Sequence, residues 1–354
     1  LQRLVPANAV HLTGAALRTG GAAAALWAVG ATVHVYFAWQ AAAAVLTTGL
    51  AAGLFWRAVP GGAAGPRPDW RRLAGFASGV GGIALAALVL SQLDKVLLST
   101  LLPLDAFGCY MLASAAATGL AALSTPVFQA VYPRFAELHA RADGAAAGQL
   151  FHDGCQLIAV LLAPAALAMV SLPEEVLFAW SGNREVAGRA AGALRWLALG
   201  YLLNGFCTVP YAAQLGVGWV RFALAVNVGA VIVLGPLIVV SARAAGGTGT
   251  AAVWAALNAG LVVLCAAVAV PRLAVSGSAR WLTRDVLLPT AGPLAVALTV
   301  RAAVPPGLDR WAGAAVVLGV SGAGLLASVA ATPVTRSWLR NTARVWRGRT
   351  GTAA

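Results

Sequence analysis

The sequence predicts an all-α integral membrane protein, a polytopic bundle of about ten transmembrane helices joined by short connectors. Hydrophobic residues make up 60% of its 354 residues and charged residues only 10%, whereas soluble domains carry about 25% charged residues. Runs of about 20 apolar residues recur along the chain, and each is long enough to cross a hydrocarbon core of about 30 Å. Because these runs are rich in Ala and Leu and lack alternation, they favour helices over barrel strands.

The apolar runs define the predicted spans. In chain order these are residues 9–30, 36–56, 74–98, 107–132, 153–172, 188–209, 222–242, 250–270, 286–304 and 311–332. The longest connectors are 57–73, which is rich in Pro and Gly, and 133–152, which carries charged residues. The basic stretch 333–354 is interpreted as a solvated tail, with an interfacial helix on an anionic leaflet as the alternative.

The basic residues lie mostly in alternate connectors. A net charge of +13 in a soluble protein would suggest a nucleic-acid partner, but here the arginines lie between apolar spans, as the positive-inside rule predicts. When the connectors are assigned to alternate sides, 17 of the 24 basic residues lie on one side, with Arg18 counted there. We therefore expect no nucleic-acid partner, an even number of spans, and cytoplasmic termini at both ends.

Residues of catalytic or metal-binding type are too scattered to indicate an enzyme. Cys109, Cys155, Cys207 and Cys265 are isolated within or beside apolar spans, which indicates packing rather than a metal site or disulfides. The four histidines lie apart near helix ends, and no phosphate-binding loop is present. We therefore expect transport without covalent chemistry, without a cofactor and without a metal, and a membrane glycosyltransferase or polymerase is disfavoured.

The predicted span 107–132 carries a polar stripe. At about 100° per residue, six side chains fall on one face: Tyr110, Ser114, Thr118, Thr125, Gln129 and Tyr132. Polar groups at membrane depth face neighbouring helices or a wet cavity, because lipid does not solvate them. The stripe therefore fits either a wall of a polar cavity or hydrogen bonds between helices.

Charged residues lie inside the predicted span 74–98, near its outer end. Ser91, Gln92 and Lys95 share one face of the helix, and Asp94 lies beside that face as the only acid well inside any span. Adjacent residues on a helix do not face each other, so we expect Asp94 and Lys95 to have separate partners. Two interpretations fit: a site for substrate, proton or cation, or a structural ion pair with snorkelling to the interface.

The predicted span 188–209 adds further polar groups. Arg195 lies about two turns from the outer end, where it is placed to meet an anionic head group or Asp94. Asn204 and Tyr211 lie on a shared face. Single amides at Gln156, Asn227 and Asn258 are predicted to be packing contacts. The candidate cavity-lining residues are Gln92, Asp94, Lys95, Ser114, Thr118, Gln129, Arg195, Asn204 and Tyr211.

Short motifs, taken in order, resemble one family of membrane proteins. They are SQLDKVLLS at 91–99, FGCY at 107–110, YPRF at 132–135, LFAW at 177–180 and LNG at 203–205, followed by Pro210 and Tyr211. In order and spacing they are similar to the bacterial polysaccharide-biosynthesis flippases, O-antigen-type exporters of the multidrug/oligosaccharidyl-lipid/polysaccharide (MOP) superfamily. The similarity covers nearly all of the chain, chiefly residues 74–215.

The resemblance implies two six-helix lobes around a central cavity that opens alternately to each side. On that plan the chain lacks the first four helices of the family. The implied parts are 1–56 (last two helices of the N-terminal lobe), 57–73 (cytoplasmic linker), 74–270 (six-helix C-terminal lobe), 271–332 (two additional helices) and 333–354 (basic cytoplasmic tail). The resemblance also implies a multi-pass protein of the bacterial inner membrane.

The resemblance further implies a substrate, a lipid-linked oligosaccharide carried on polyprenyl pyrophosphate. A flippase would move it from the cytoplasmic to the outer leaflet by alternating access, for O-antigen or other lipopolysaccharide biosynthesis. Lys95 and Arg195 would attract the pyrophosphate, while Asp94 would pair with them or couple transport to a proton or sodium ion, as in an antiporter. Polysaccharide polymerase machinery is an implied partner. A lipid II flippase and a cation-coupled multidrug exporter of the same superfamily are the alternatives.

Overall fold

The computed structural model describes residues 4–58, 70–273, 277–305 and 307–337. Nearly all of these residues are helical, and no β-strand occurs among them. Seven helical segments in the described ranges are long and apolar enough to cross a membrane. The predicted fold class, an all-α polytopic membrane helix bundle, is therefore confirmed. Most of the predicted basic tail lies outside the described residues.

The helices follow one another with short connections. In chain order the described α-helices are α1 (Leu4–Ala28), α2 (Val33–Ala58), α3 (Trp70–Leu101), α4 (Leu104–Ala140), α5 (Gly144–Ser171), α6 (Pro173–Ser181), α7 (Arg184–Phe206), α8 (Thr208–Gly216), α9 (Val220–Leu264), α10 (Val270–Arg272), α11 (Ser278–Arg280), α12 (Leu288–Ala303) and α13 (Arg310–Ala331). A π-helical segment at Cys265–Ala269 connects α9 to α10, and a second one at Trp281–Leu287 connects α11 to α12.

Every predicted span overlaps one of these helices. The apolar segment Val220–Arg272 holds the two predicted spans 222–242 and 250–270. Helices α1 and α7 coincide with two more predicted spans, although neither is among the seven apolar segments. Arg18 was counted with the basic residues of one side although it falls inside the predicted span 9–30, and the structure likewise has it inside α1. The apolar run continues on both sides of this arginine, so the helix is not interrupted there.

Helix α9 is two antiparallel arms joined by a sharp turn. Ala245 and Gly246 have non-helical backbone angles, and Gly246 has φ of 58°, a left-handed conformation that glycine adopts without steric penalty. Ser241 lies close to Gly249 across the turn. The turn packs closely against α4, since a Cβ atom on Gly247 would lie 2.9 Å from the Tyr110 ring. The turn separates the two spans that the sequence predicts here.

By contacts, the chain divides into two units, Leu1–Trp70 and Arg71–Ala354. The boundary falls inside the predicted linker 57–73, of which residues 59–69 are outside the described ranges. In the first unit α1 and α2 pair as an antiparallel hairpin. The Trp39 indole N–H donates to the Leu17 carbonyl oxygen at 2.8 Å, and Gly14 packs against Thr47.

Contacts within the second unit show which of its connectors lie together at one end of the helices and which lie at the other. At one end, called the Asp105 end, the Arg189 guanidinium contacts the Asp105 carboxylate at 2.5 Å, and Arg310 donates to the Ala179 carbonyl oxygen at 3.0 Å. At the other, called the His152 end, His152 contacts Asp285. The alternation of connectors within this unit therefore follows the predicted order. The described arginines at the His152 end include Arg134, Arg141, Arg221, Arg272, Arg280, Arg284 and Arg336.

Helix α7 lies at the centre of the second unit and packs against α4, α5, α6 and α9. Ala190 and Leu194 belong to a hydrophobic cluster with α3, α4, α6 and α9, whereas Leu202 and Phe206 belong to a larger cluster with α5, α8, α12 and α13. Small residues let helix backbones approach closely, which is how membrane helices gain van der Waals contact. Because α12 and α13 both pack against α5, they belong to the same compact unit as α3–α9.

Candidate functional site

A cavity of about 380 Å³ lies between helices α3, α4, α7, α8 and both arms of α9. We call it the main cavity. Its polar lining residues are Ser124, Thr125, Asn204, Thr208, Gln214 and Asn227, and its aromatic ones are Phe128, Tyr201, Tyr211, Phe222 and Trp254. The described lining residues include amides, hydroxyls and aromatic rings but no formal charge. The rest of the lining is Ala, Leu, Val and Cys, so the described lining is mostly apolar and aromatic, with a few amides and hydroxyls and no formal charge.

The buried amide of Asn258 orients Asn204, the amide that α7 contributes to the lining of the main cavity. The Asn204 side-chain NH₂ donates to the Oδ1 of Asn258 at 2.8 Å, and the Asn258 NH₂ donates to the Trp254 carbonyl oxygen at 2.8 Å. Asn258 is fully buried, whereas Asn204 is exposed and lines the cavity. This chain of hydrogen bonds fixes the orientation of the Asn204 amide, because the alternative orientation would bring two oxygens together.

Stacked aromatic rings form another part of the wall. The ring of Phe128 stacks on Tyr132 with centroids 5.7 Å apart and on Tyr211 with centroids 5.8 Å apart. Tyr201 and Trp254 form a second pair at 6.0 Å. Such rings present large apolar faces, while the Tyr and Trp rings also carry a polar atom.

A smaller pocket of about 30 Å³ adjoins the main cavity and shares Leu90, Tyr201 and Trp254 with it. We call it the Asp94 pocket. The Tyr110 hydroxyl donates to the Asp94 carboxylate at 2.5 Å, and the Lys95 ammonium lies 3.4 Å from the same carboxylate. These charged groups are therefore next to the neutral cavity but not part of its lining.

The structure corrects two expectations about these charges. Asp94 and Lys95 were expected to have separate partners, but they contact each other because the lysine side chain folds back along its helix, where its ammonium also donates to the Ser91 carbonyl oxygen at 2.6 Å. Arg195 does not meet Asp94. Its guanidinium donates to the Val170 carbonyl oxygen at 3.1 Å, because this side of α7 faces α5.

The other candidate residues of helix α4 differ in position: some lie at the Asp94 pocket, and one lies outside both cavities. Ser114 is buried and lines the Asp94 pocket, and Thr118 lies 3.4 Å from the Tyr201 hydroxyl. Gln129 is exposed and lies outside the lining of both cavities. The side of α4 that faces the main cavity carries Ala121, Ser124, Thr125 and Phe128. The cavity face is therefore rotated slightly from the predicted polar stripe.

The remaining candidates also differ in position. Gln92 is exposed and lines neither cavity, whereas Asn204 and Tyr211 both line the main cavity. Asn227, interpreted from the sequence as a packing amide, lines the main cavity as well. The sequence contains no signal that separates it from Asn258, since each is a single amide in an apolar span.

A third polar site, around Asp285, was not predicted from the sequence. Asp285 is fully buried and contacts both His152 and Gln156. The expectation that Asp94 is the only acid well inside a helical span is therefore wrong. Asp285 directly precedes the predicted span 286–304, and its position in a connector concealed its burial. Among the described residues, no group of three or more His, Cys, Asp or Glu side chains is arranged to hold a metal ion.

Comparison with known proteins supports a relation to polysaccharide synthesis. The model of a family described as polysaccharide biosynthesis protein matches residues 10–139. The matched part runs from α1 almost to the end of α4 and includes Asp94, Lys95, Tyr110 and Ser114. No curated protein and no solved structure matches the chain. The match and the apolar helices together support a membrane protein related to polysaccharide synthesis.

Proposed function

We propose that this chain is a flippase that moves an oligosaccharide linked to polyprenyl pyrophosphate from the cytoplasmic to the outer leaflet of a bacterial inner membrane. The observation that carries the proposal is the uncharged main cavity between membrane helices, whose mostly apolar lining includes amides and aromatic rings, in a chain whose residues 10–139 match the polysaccharide biosynthesis family. The protein would work by alternating access and without covalent chemistry.

The amides and aromatic rings within the mostly apolar lining of the main cavity are suited to a glycan. Sugar rings present hydroxyl groups at their edges and apolar C–H groups on their faces. Amides such as Asn204 and Asn227 both donate and accept hydrogen bonds, and the rings of Phe128 and Tyr211 offer flat apolar surfaces. A volume of about 380 Å³ lies within the range of small-ligand sites, so the cavity would hold part of an oligosaccharide.

The charged groups of the adjoining pocket suit the other part of the substrate. Lys95 contacts Asp94, and we propose that the lysine exchanges this carboxylate for a phosphate oxygen when substrate binds. Asp94 would then retain its hydrogen bond from Tyr110 and become available to a coupling proton or sodium ion. For Arg195 to reach the anion, it would have to leave the Val170 carbonyl oxygen.

The neutral lining also bears on the alternatives. An exporter of organic cations is expected to present acidic side chains to its substrate, and the described lining of the main cavity contains none. A lipid II flippase would also bind a glycan on polyprenyl pyrophosphate, and only the identity of the sugar separates it from a flippase of polysaccharide repeat units. The experiment must therefore identify the molecule that accumulates when transport fails.

The test replaces cavity residues in cells that depend on the full-length protein. We expect Asn204→Ala and Tyr211→Ala to lower surface polysaccharide at least about tenfold, the effect of losing about 1.4 kcal/mol of binding. Gln129→Ala is the matched control, because Gln129 is exposed and lies outside the cavity lining. Mass spectrometry should show a polyprenyl-pyrophosphate oligosaccharide accumulating in the two cavity variants. Normal export from both variants would overturn the proposal, and accumulated lipid II would select the alternative.

The proposed orientation has a separate test. We propose that the arginine-rich His152 end and both termini face the cytoplasm, because positively charged connectors remain inside. In an otherwise cysteine-free chain, Glu185→Cys at the Asp105 end should react with a membrane-impermeant maleimide in intact spheroplasts. Arg141→Cys at the His152 end should react only after permeabilisation. The reverse pattern would contradict the orientation.

A further inference from the structure

Three polar side chains in the lining of the main cavity donate a hydrogen bond to the protein itself. The Asn204 NH₂ donates to Oδ1 of Asn258 at 2.8 Å. The Asn227 NH₂ at 2.8 Å and the Thr125 hydroxyl at 3.0 Å each donate to the backbone carbonyl oxygen four residues earlier. Asn204, Asn227 and Thr125 all line the cavity. Part of the donor capacity of the lining is therefore used within the protein.

The partners of these bonds decide which atoms are left for a ligand. A carbonyl oxygen can only accept, so Thr125 must donate its hydroxyl proton and Asn227 must donate from its NH₂. Asn258 donates its own NH₂ to the Trp254 carbonyl oxygen, which leaves its Oδ1 to accept from Asn204. The side-chain oxygens of Thr125, Asn204 and Asn227 receive no hydrogen bond from the described residues. The cavity therefore offers three hydrogen-bond acceptors whose orientation is fixed.

The other polar groups of the lining add donors but no positive charge. Hydroxyl and amide groups that both donate and accept are carried by Ser124, Thr208, Tyr211 and Gln214. Lys95 lies in the adjoining Asp94 pocket, where its ammonium contacts the Asp94 carboxylate at 3.4 Å. In the proposed function this lysine binds the pyrophosphate. The described lining of the main cavity therefore has no cation to pair with an acidic sugar.

Such a lining distinguishes neutral sugars from acidic ones. The hydroxyl groups of a neutral sugar can donate to the three fixed acceptors. A uronic acid has a carboxylate in place of one hydroxymethyl group, and an ionised carboxylate only accepts. It would also lose its hydration in a mostly apolar cavity, and without a cation beside it this cost is not offset. Both effects disfavour an acidic sugar in the main cavity.

We propose that the main cavity selects a neutral glycan, whose sugars carry hydroxyl groups or uncharged amides, over one that carries carboxylates. Thr125, Asn204 and Asn227 are the residues that set this specificity, through oxygens that require a donor from the ligand. The inference rests on the proposed function and adds the chemical class of the sugar to it.

The first test measures binding to the purified full-length protein in lipid nanodiscs. The probes are a farnesyl pyrophosphate disaccharide that ends in glucose, the same compound ending in glucuronate, and the methyl ester of that glucuronate. We expect the glucose compound to bind at least about tenfold more tightly than the glucuronate compound. The methyl ester should recover most of the loss, because it removes the charge and keeps the sugar. Equal or tighter binding of the glucuronate compound would overturn the proposal.

The second test introduces a cation into the cavity. Asn227→Lys and Thr125→Lys each place a positive charge at one of the three acceptors, and two positions are used so that the result does not depend on the folding of one variant. We expect each folded variant to bind the glucuronate compound at least about tenfold more tightly than the unmodified chain does. Gln129→Lys is the matched control, because Gln129 is exposed and lies outside the lining. Equal gains in the control and the cavity variants would contradict the proposal.

The specificity and the proposed function fail with different results. If both compounds bind equally well and Asn204→Ala weakens both, the cavity is a glycan site without the proposed preference. If neither compound binds, or if cavity substitutions leave the binding of both unchanged, the proposed function is contradicted together with the specificity.

Discussion

The main cavity and the cluster of His152, Gln156 and Asp285, which we call the Asp285 cluster, both bring polar side chains between membrane helices, but in different ways. Cavity residues such as Asn204 and Tyr211 remain accessible, and the described lining carries no charge. In the Asp285 cluster, by contrast, a fully buried carboxylate has both of its oxygens in contact with protein groups. Polar groups that face a cavity are available to a ligand, whereas those that satisfy one another hold helices together. The following substitutions test this distinction, from the largest expected effect on stability to the smallest.

The largest effect should come from Asp285→Ala. Removing this carboxylate takes away the common partner of Gln156, which is buried, and of His152, whose side chain is 13% exposed. Each buried polar group that loses its hydrogen bond costs about 1–3 kcal/mol, and two groups are affected here. Chemical unfolding in detergent micelles, followed by tryptophan fluorescence, would measure the loss. Replacing all three residues with apolar ones should recover part of it, because the groups that lose Asp285 are then removed together with it. An Asp285→Ala variant as stable as the unmodified chain would show that the cluster does not hold helices together.

Tyr110→Phe should have the next largest effect. The Tyr110 hydroxyl donates at 2.5 Å to the Asp94 carboxylate, which also contacts Lys95, and a hydrogen bond to such a salt-bridged group contributes about 1.5–3 kcal/mol. The same unfolding measurement applies, with Tyr132→Phe on the same helix as the matched control. Equal losses in the two variants, each of which removes only a hydroxyl, would show that the hydrogen bond to Asp94 makes no special contribution.

Asn258 and Asn227 lie on the two arms of α9 and allow a buried amide to be compared with a cavity-lining one. Asn258→Leu should lower the free energy of unfolding by about 1–3 kcal/mol, since it leaves the Asn204 NH₂ without its partner. Asn227→Leu should lower it by less than about 1 kcal/mol, because Asn227 lies at the cavity surface. Export should nevertheless fall in Asn227→Leu. If Asn227→Leu lost stability and kept export, Asn227 would be a packing residue.

The smallest effect should come from Glu137→Gln. Glu137 contacts Arg134 at 3.1 Å and Arg141 at 2.7 Å, but both arginine side chains are more than half exposed. Surface ion pairs contribute about 0–1 kcal/mol, so the unfolding midpoint should hardly move, and less still at high salt. A loss as large as that of Tyr110→Phe would mean that these ion pairs are shielded from water and would contradict the prediction.

Much of the fold was predictable because the composition of an apolar run decides whether it crosses a membrane. The turn of α9 falls between two predicted spans, since Gly246 and Gly247 follow an apolar stretch that is already long enough to cross. The sequence could not distinguish the cavity face of α4 from its neighbour, because Gln129 and Phe128 differ by only one position. It also could not reveal the Asp285 cluster, whose members lie 129 and 133 residues apart in the chain. Only the packing of α5 against the π-helical segment brings them together.

The central claim is that the main cavity binds the glycan of a lipid-linked oligosaccharide, and photo-crosslinking tests it most directly. A benzophenone amino acid would replace Asn227, which lines the cavity, or Ile232, which lies on an exposed apolar face of the same arm. After irradiation in native membranes, the adduct from position 227 should contain a polyprenyl-pyrophosphate oligosaccharide and that from position 232 only phospholipid. Phospholipid alone at both positions would contradict the claim.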